Sequence, residues 1–131
     1  RYAEAEPLFR RLLEARERTL GPDHPHAADT LKDLAEVVYC KGDRVAAEPL
    51  FRQAIERCGR VLGPDHSYVL TSLNHLGALL RRKGDHAEAE LLFRRALEAC
   101  RRALGPDHTF TRMTFDSLEA LLKSKAQSGK G

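Results

Sequence analysis

The chain has 131 residues, of which 42% are hydrophobic and 31% are charged, and its formal net charge is +3. This length and composition allow one domain with a hydrophobic core and exclude two ordinary domains. No apolar run approaches the roughly 20 residues that a membrane-spanning helix requires, which excludes membrane insertion. The basic residues have acidic neighbours along the predicted helices and form no single basic face, which argues against binding to nucleic acid.

The three cysteines, Cys40, Cys58 and Cys100, are odd in number and widely spaced. This pattern is a poor disulfide framework and a poor zinc site, so we predict no metal and no cofactor. Cys58 and Cys100 lie on apolar helix faces, where cysteine acts as a small buried hydrophobic residue, whereas Cys40 lies near a helix end. Cysteines that stay reduced indicate an intracellular, cytoplasmic protein.

Apolar residues at three- and four-residue steps predict six helices in chain order. They span residues 2–20, 25–41, 44–62, 67–83, 86–104 and 109–125. Two kinds of break alternate between them. The first is a Gly-Pro-Asp-His segment, and the second is a Gly-Asp pair at residues 42–43 and 84–85. In such a pair, glycine ends one helix in the left-handed conformation and aspartate caps the next.

The chain is built from an internal repeat. Leu-Gly-Pro-Asp-His occurs at residues 20–24, 62–66 and 104–108, a step of 42 residues each time. Ala-Glu-Pro-Leu-Phe occurs at residues 5–9 and 47–51 and becomes Ala-Glu-Leu-Leu-Phe at residues 89–93. Each repeat holds two amphipathic helices, and a lone pair cannot bury both apolar faces, so neighbouring pairs must stack.

The sequence therefore predicts an all-α fold, a right-handed α-α superhelix of six antiparallel helices. Residues 1–127 form one array, and residues 128–131 form a disordered tail. Within the array we expect a partial repeat at 1–24, full repeats at 25–66 and 67–108, and a terminal capping helix at 109–125. The array ends there because Glu119 replaces a small residue and Ala126-Gln127 replaces Gly-Asp.

The repeat resembles a tetratricopeptide repeat (TPR), which has large and small apolar residues at fixed positions of its two helices. The matching residues of the middle repeat are Leu73, Leu76, Gly77 and Leu80, followed by Ala89, Phe93 and Ala96. The small residues let the helix backbones approach closely, and the phenylalanine fills the space between pairs. The ordinary repeat has about 34 residues, and the longer form found here is similar to the repeats of kinesin light chains.

The resemblance implies that the first helix of each pair lines a concave groove that binds a peptide. The positions that face such a groove are Lys32, Asp33, Glu36, Tyr39, Asn74, His75, Arg81, Arg82 and Asp116. The amide of Asn74 can donate to and accept from an extended backbone, and Arg81 or Arg82 can bind a carboxylate. The alternative is that these side chains only form the solvated faces of helices.

On this basis we expect a non-enzymatic scaffold that holds a peptide or helix of a partner protein, as a kinesin-light-chain-like adaptor does. The alternative is a structural spacer or oligomerisation module within a larger multidomain protein. The chain begins at the second helix of a repeat, so we expect a longer parent protein. Helix 2–20 then lacks its usual partner and exposes Leu8, Phe9, Leu12 and Leu13, which predicts a homodimer through this helix.

The three Asp-His pairs, at residues 23–24, 65–66 and 107–108, have two interpretations. A metal or catalytic site would need them to converge, but equivalent residues of a helical repeat are on the order of 10 Å apart. The other interpretation is that each pair belongs to a loop that caps the following helix. We favour the caps and predict no catalytic site.

Overall fold

The computed structural model describes residues 1–130, and within that range it contains six α-helices and no β-strand. The helices are α1 (Tyr2–Leu20), α2 (Pro25–Lys41), α3 (Arg44–Leu62), α4 (Ser67–Lys83), α5 (His86–Leu104) and α6 (Thr109–Lys130). The bounds of the first five agree with the sequence prediction. The predicted end of the last helix at residue 125 is wrong, because α6 continues through Ala126 and Gln127 and reaches the predicted tail. Residue 131, the end of that tail, lies outside the described residues.

The helix ends at the Gly-Asp pairs have the predicted geometry. Gly42 has φ +100° and Gly84 has φ +96°, values that favour glycine. The Oδ1 atom of Asp43 accepts from the backbone N–H of Ala46 at 3.1 Å, which caps α3. The same pairing caps α5, where Asp85 is the N-cap residue. These two breaks therefore turn the chain between the helices of each pair.

Histidine caps α2, α4 and α6. In each case the Nδ1 atom of the histidine accepts a hydrogen bond from the backbone N–H two residues later. The donor is His26 for His24 at 3.1 Å, Tyr68 for His66 at 3.1 Å and Phe110 for His108 at 3.0 Å. These hydrogen bonds satisfy one free N–H group in the first turn of α2, α4 and α6. The prediction that the Asp-His pairs are structural caps is confirmed.

Two compact units make up the chain, and the first, unit 1, is Arg1–Ser72. In it α2 packs against both α1 and α3. Most of the buried side chains come from α2 and α3 and include Leu31, Leu34, Ala35, Val38, Ala47, Phe51, Ala54 and Cys58. Helix α1 contributes no buried residue, so the core of this unit lies on the side of α2 that faces away from α1.

The second unit, unit 2, begins at Leu73 and contains most of α4 together with α5 and α6. Helix α5 packs against α6. A Cβ atom at Gly77 of α4 would lie 2.9 Å from the ring of Phe93 on α5, so this close contact requires glycine. Cys100 is fully buried, as Cys58 is in unit 1, and both behave as the predicted apolar filler.

Each unit also contains the same ion-pair cluster. In unit 1 the carboxylate of Glu6 binds Lys41 Nζ at 2.8 Å and Arg10 Nε at 2.9 Å. Glu90, two repeats later, binds Lys125 Nζ at 3.1 Å and Arg94 Nε at 2.8 Å. Hydrogen bonds from the lysine and the arginine lower the pKa of Glu6. Each cluster therefore links the start of the second helix of one repeat to the end of the first helix of the next repeat.

Candidate functional site

The predicted binding residues fall into two groups, one in each unit. In unit 1, Lys32 is the centre of a polar cluster on α2. Its Nζ atom lies 3.0 Å from Asp33 Oδ1 and 3.5 Å from Glu36 Oε1, and 4.4 Å from the centroid of the Tyr68 ring. Burial lowers the pKa of Lys32, but the hydrogen bond and charge of Asp33 and the charge of Glu36 outweigh it, so the pKa is raised. The ammonium is therefore held by neighbours within the protein.

A small cavity adjoins this cluster in unit 1. It has a volume of about 370 Å³ and is lined by Tyr2, Phe9, Asp33, Glu36, Val37 and Cys40. Cys40 is exposed. The wall is mostly apolar, and the two carboxylates at its edge already face Lys32, so the cavity offers a ligand little uncompensated charge.

Tyr39, one of the predicted groove residues, contacts a neighbouring aromatic ring. Its ring meets the ring of Phe51 edge to face, with centroids 6.0 Å apart. Phe51 is fully buried. Tyr39 therefore packs against the core of unit 1, and this contact is worth about 0.5–1.5 kcal/mol beyond the area it buries.

In unit 2 the amide of Asn74 is engaged inside the protein. Its Nδ2 atom donates to Thr114 Oγ1 at 3.1 Å, and the same hydroxyl donates to the carbonyl of Phe110 at 2.9 Å. Thr114 is one of three buried residues with a hydroxyl group at 42-residue steps of the sequence, together with Thr30 and Ser72. The sequence prediction of the core rested on apolar residues alone and therefore did not include these positions.

Arg81 and Arg82 line a second cavity, where the positive charges of their guanidinium groups are not compensated by a neighbouring acid. It measures about 430 Å³ and is also lined by Ala78, Phe93 and Ser117. Among the side chains that the structure describes, those of residues 1–127, none forms a hydrogen bond or ion pair with either guanidinium. Five other arginines each pair with a glutamate four residues earlier in the same helix: Arg10, Arg52, Arg60, Arg94 and Arg102. Four residues before Arg81 and Arg82 stand Gly77 and Ala78, which cannot form such a pair.

The remaining two predicted residues do not join this group. His75 is half-buried on α4. Asp116 is exposed and lines a third cavity, of about 360 Å³, with Arg101, Arg112 and Phe115 among its neighbours. Unit 2 therefore presents two separate concave surfaces, one between Arg81 and Ser117 and one beside Asp116.

The described residues show no arrangement for metal binding or membrane insertion. In residues 1–130 no group of three or more histidine, cysteine or acidic side chains could hold a metal ion. None of the six helices, over the part that the structure describes, has the length and apolar character needed to cross a membrane. Burial raises the pKa of Cys58 to about 11, so its thiol stays protonated and unreactive at neutral pH.

Repeated helix pairs with small residues at their contacts and open charged surfaces define a helical-repeat protein of the interaction class. Residues 1–58, 42–102 and 68–128 each match the tetratricopeptide repeat family. The chain belongs to this family, whose repeats generally mediate protein–protein interaction. The predicted family and all-α fold class are confirmed. No individually curated protein matches the chain by sequence.

Solved structures of the same fold include BtubC (BKLC) from P. vanneervenii, with a TM-score of 0.84 and 21% identity over 96% of this chain and 50% of that one. Another is the structure of the nearly identical TPR-like repeats of a Podosopora anserina putative kinesin light chain. It has a TM-score of 0.83 and 20% identity over 98% of this chain and 61% of that one. The chain thus spans between half and about three fifths of the length of these relatives, and the likeness concerns the fold.

Proposed function

We propose that the chain is a non-enzymatic scaffold that binds a carboxylate-bearing peptide or helix of a partner protein at the Arg81–Arg82 surface of unit 2. One observation carries the proposal: two neighbouring guanidinium groups border a cavity and have no acidic partner among the described residues. Cargo adaptation, which the resemblance to kinesin light chain repeats implies, is one instance of this function.

The chemistry of the cavity supports a short peptide segment. Arginine binds carboxylates through two parallel hydrogen bonds, which fixes orientation as well as charge. Ala78 and Ser117 are small and leave room for a side chain or backbone, and the nearly buried ring of Phe93 provides an apolar floor. Such a mixture of apolar lining and a few charged groups is typical of binding sites.

A peptide array probed with the full chain tests this proposal. We expect captured peptides to be enriched in aspartate and glutamate. Their affinity should fall about tenfold in Arg81→Ala or Arg82→Ala, because a hydrogen bond to a charged group contributes about 1.5 kcal/mol. The matched control is Arg102→Ala, which removes an arginine paired with Glu98 at 3.1 Å. Peptides that bind all four proteins equally would refute the proposal.

A second function, spacing or oligomerisation of attached domains, is favoured by one observation. Leu8 and Leu12 of α1 are 62% and 39% exposed, and at a spacing of four residues they share one helix face. If this were the main function, the array would capture no peptide through Arg81 and Arg82. Self-association would instead depend on the two leucines.

A further inference from the structure

The third cavity lies between α5 and α6 in unit 2. It has a volume of about 360 Å³ and is lined by Leu97, Arg101, Pro106, Thr111, Arg112, Phe115 and Asp116. Phe115 is 44% exposed, although Leu31, the residue two repeats earlier, is 1% exposed. Thr111 is 2% exposed, and its hydroxyl has no hydrogen-bond partner within residues 1–130. Phe115 is therefore exposed at a position that is buried in the two earlier repeats, where Leu31 and Leu73 stand.

Unit 1 shows what covers the equivalent surface. Residues 84 positions earlier, two steps of 42, lie on α1 and α2, and helix α3 packs over them. Arg57 Nη1 of α3 donates to Glu17 Oε2 at 2.6 Å. The thiol of Cys58, also on α3, donates to the carbonyl of Ala28 at 3.5 Å. The surface formed by a second helix and the following first helix is thus a seat for one α-helix, and we call it the helix seat.

The helix seat of α5 and α6 lacks the turn that follows the equivalent surface in unit 1. At residues 42–43 and 84–85 a Gly-Asp pair turns the chain so that the next helix can pack back. The corresponding residues are Ala126 and Gln127, and α6 runs straight through them. Within the described residues the chain therefore does not turn back over this seat.

The charges of this seat are reversed relative to the seat in unit 1. Arg101 stands where Glu17 stands, and Arg112 stands where Ala28 stands. Neither guanidinium has an ion pair within the described residues. A helix that binds here in the manner of α3 therefore needs an acidic residue at the position of Arg57, because an arginine at that position would face Arg101.

We propose that the α5–α6 helix seat binds an amphipathic helix of a partner protein that carries an acidic residue at the position equivalent to Arg57. The apolar part of the contact comes from Leu97 and Phe115, and the helix covers the exposed ring of Phe115. The two arginines determine which helix is accepted, since like charges at this point oppose binding. This proposal does not depend on the proposed function, which concerns a different cavity.

A second copy of the chain is a poor occupant of the seat. If two copies stacked end to end, α1 of one copy would lie on the α5–α6 seat of the other. It would take the position that α3 has on the equivalent seat of unit 1. Arg16 would then occupy the fully buried position of Cys58 and face Arg112, and Ala15 would face Arg101. This arrangement buries one arginine against another and offers no acid to either, which is costly. A different, acidic helix avoids both problems.

The chain itself supplies a probe. A fluorescent peptide of residues 44–62 with Arg57→Glu and Cys58→Ala reproduces the shape of α3 and carries the required acid. The matched peptide keeps Arg57. In fluorescence anisotropy with the full chain, the glutamate peptide should bind about tenfold more tightly than the arginine peptide. Arg101→Glu should reverse this preference, whereas Arg95→Glu, an exposed site on the same helix, should leave it unchanged.

Three outcomes would overturn the proposal. The first is equal binding of both peptides to the wild-type chain, or binding of neither. The second is a preference for the glutamate peptide that Arg81→Ala abolishes and Arg101→Glu does not, which would move the peptide to the Arg81–Arg82 surface. The third is a concentration-dependent dimer, seen by sedimentation velocity, that Arg101→Glu disrupts, because a second copy would then occupy the seat.

Discussion

Gly77 and Phe93 lie closer together than any side chain at position 77 would permit. A Cβ atom built on Gly77 would be 2.9 Å from ring carbons Cε1 and Cζ of Phe93, and the ring itself is only 3% exposed. The absence of a side chain on α4 therefore determines how closely α5 packs against it in unit 2. Ala35 and Phe51 are the equivalent pair one repeat earlier, so this contact is tighter than the repeat pattern alone requires.

Gly77→Ala should destabilise the protein although alanine favours helices. Overpacking against a buried ring costs about 1–3 kcal/mol, and the gain in helix propensity is about 1 kcal/mol, so we expect a net loss of about 1 kcal/mol. The control is Gly59→Ala on α3, where nothing lies within 4 Å of the added carbon. It should raise the free energy of unfolding in urea. A stabilising Gly77→Ala would mean that the ring shifts without cost.

The helices and their ends were predictable because the signals for them are local. Apolar spacing and the glycine at each break depend on a few neighbouring residues, and five of the six helices begin and end as predicted. The last helix was predicted too short because the loss of Gly-Asp at residues 126–127 was interpreted as the end of the array. In physical terms it removes only a stop signal, and a helix without one continues.

The proposed binding surface was less predictable than the helices, because it depends on which side chains already have partners. A position in a repeat does not reveal that Asn74 donates to Thr114, or that Tyr39 packs on Phe51. By contrast, the free charge of Arg81 and Arg82 could have been inferred from the sequence, since no acid lies four residues before either. Asp116 was grouped with them by its position in the repeat, and in the structure it lines another cavity.

Replacing His108 should weaken the start of α6. Its Nδ1 atom accepts from the backbone N–H of Phe110 at 3.0 Å, and the ring is exposed, so it makes this contact without being part of the core. We expect His108→Ala to cost about 1 kcal/mol, the usual effect of losing an N-cap, and His108→Asn to retain most of the stability. Urea denaturation measures both. Equal losses in the two variants would show that the ring matters for a reason other than capping.

The ion-pair clusters predict how stability depends on pH. The lysine and arginine partners lower the pKa of Glu6 and of Glu90 below 4.5. A carboxyl group that is more acidic when folded stabilises the protein above its unfolded pKa, and this contribution is lost as pH falls through the folded pKa. The double variant Glu6→Gln, Glu90→Gln should therefore be less stable than wild type at about pH 7 and nearly equal to it at about pH 3.

The control for this comparison is Glu14→Gln, which removes an exposed carboxylate that has no ion pair within the described residues. Its stability should follow wild type at both pH values. Chemical denaturation followed by circular dichroism gives the free energies of unfolding. A stability difference in the double variant that persists at the lower pH would show that the glutamine substitutions act through packing and not through charge.

The three cysteines should differ in reactivity. Cys40 is exposed, whereas Cys58 and Cys100 are fully buried, and burial raises the pKa of both buried thiols. Since the thiolate is the reactive form, Ellman's reagent should titrate one thiol in the native protein and three in denaturant. Cys40→Ser should abolish the native reaction. A second thiol that reacts at the same rate without denaturant would contradict the burial of the repeat-equivalent pair.

Self-association through α1 is the last prediction. Helix α1 contributes no residue to the core, and Tyr2, Leu8, Leu12 and Leu20 are between 39% and 62% exposed. Burying apolar area of this kind contributes about 25 cal/mol per Å², against which the cost of association must be set. End-to-end stacking would bring Arg16 against Arg112, so we expect a symmetric pair in which the α1 helices of two copies face each other.

Sedimentation velocity at tens of micromolar should then show a dimer that weakens in Leu8→Glu and Leu12→Glu, because each change places a charge in the apolar contact. The matched control is Leu91→Glu on α5. Leu91 is 68% exposed and is the residue of α5 that stands two repeats after Pro7 of α1. Its replacement therefore adds the same charge to an exposed leucine position outside α1. It should leave the dimer intact. A wild-type chain that sediments as a monomer across this range, or a dimer that only Leu91→Glu disrupts, would rule out pairing through α1.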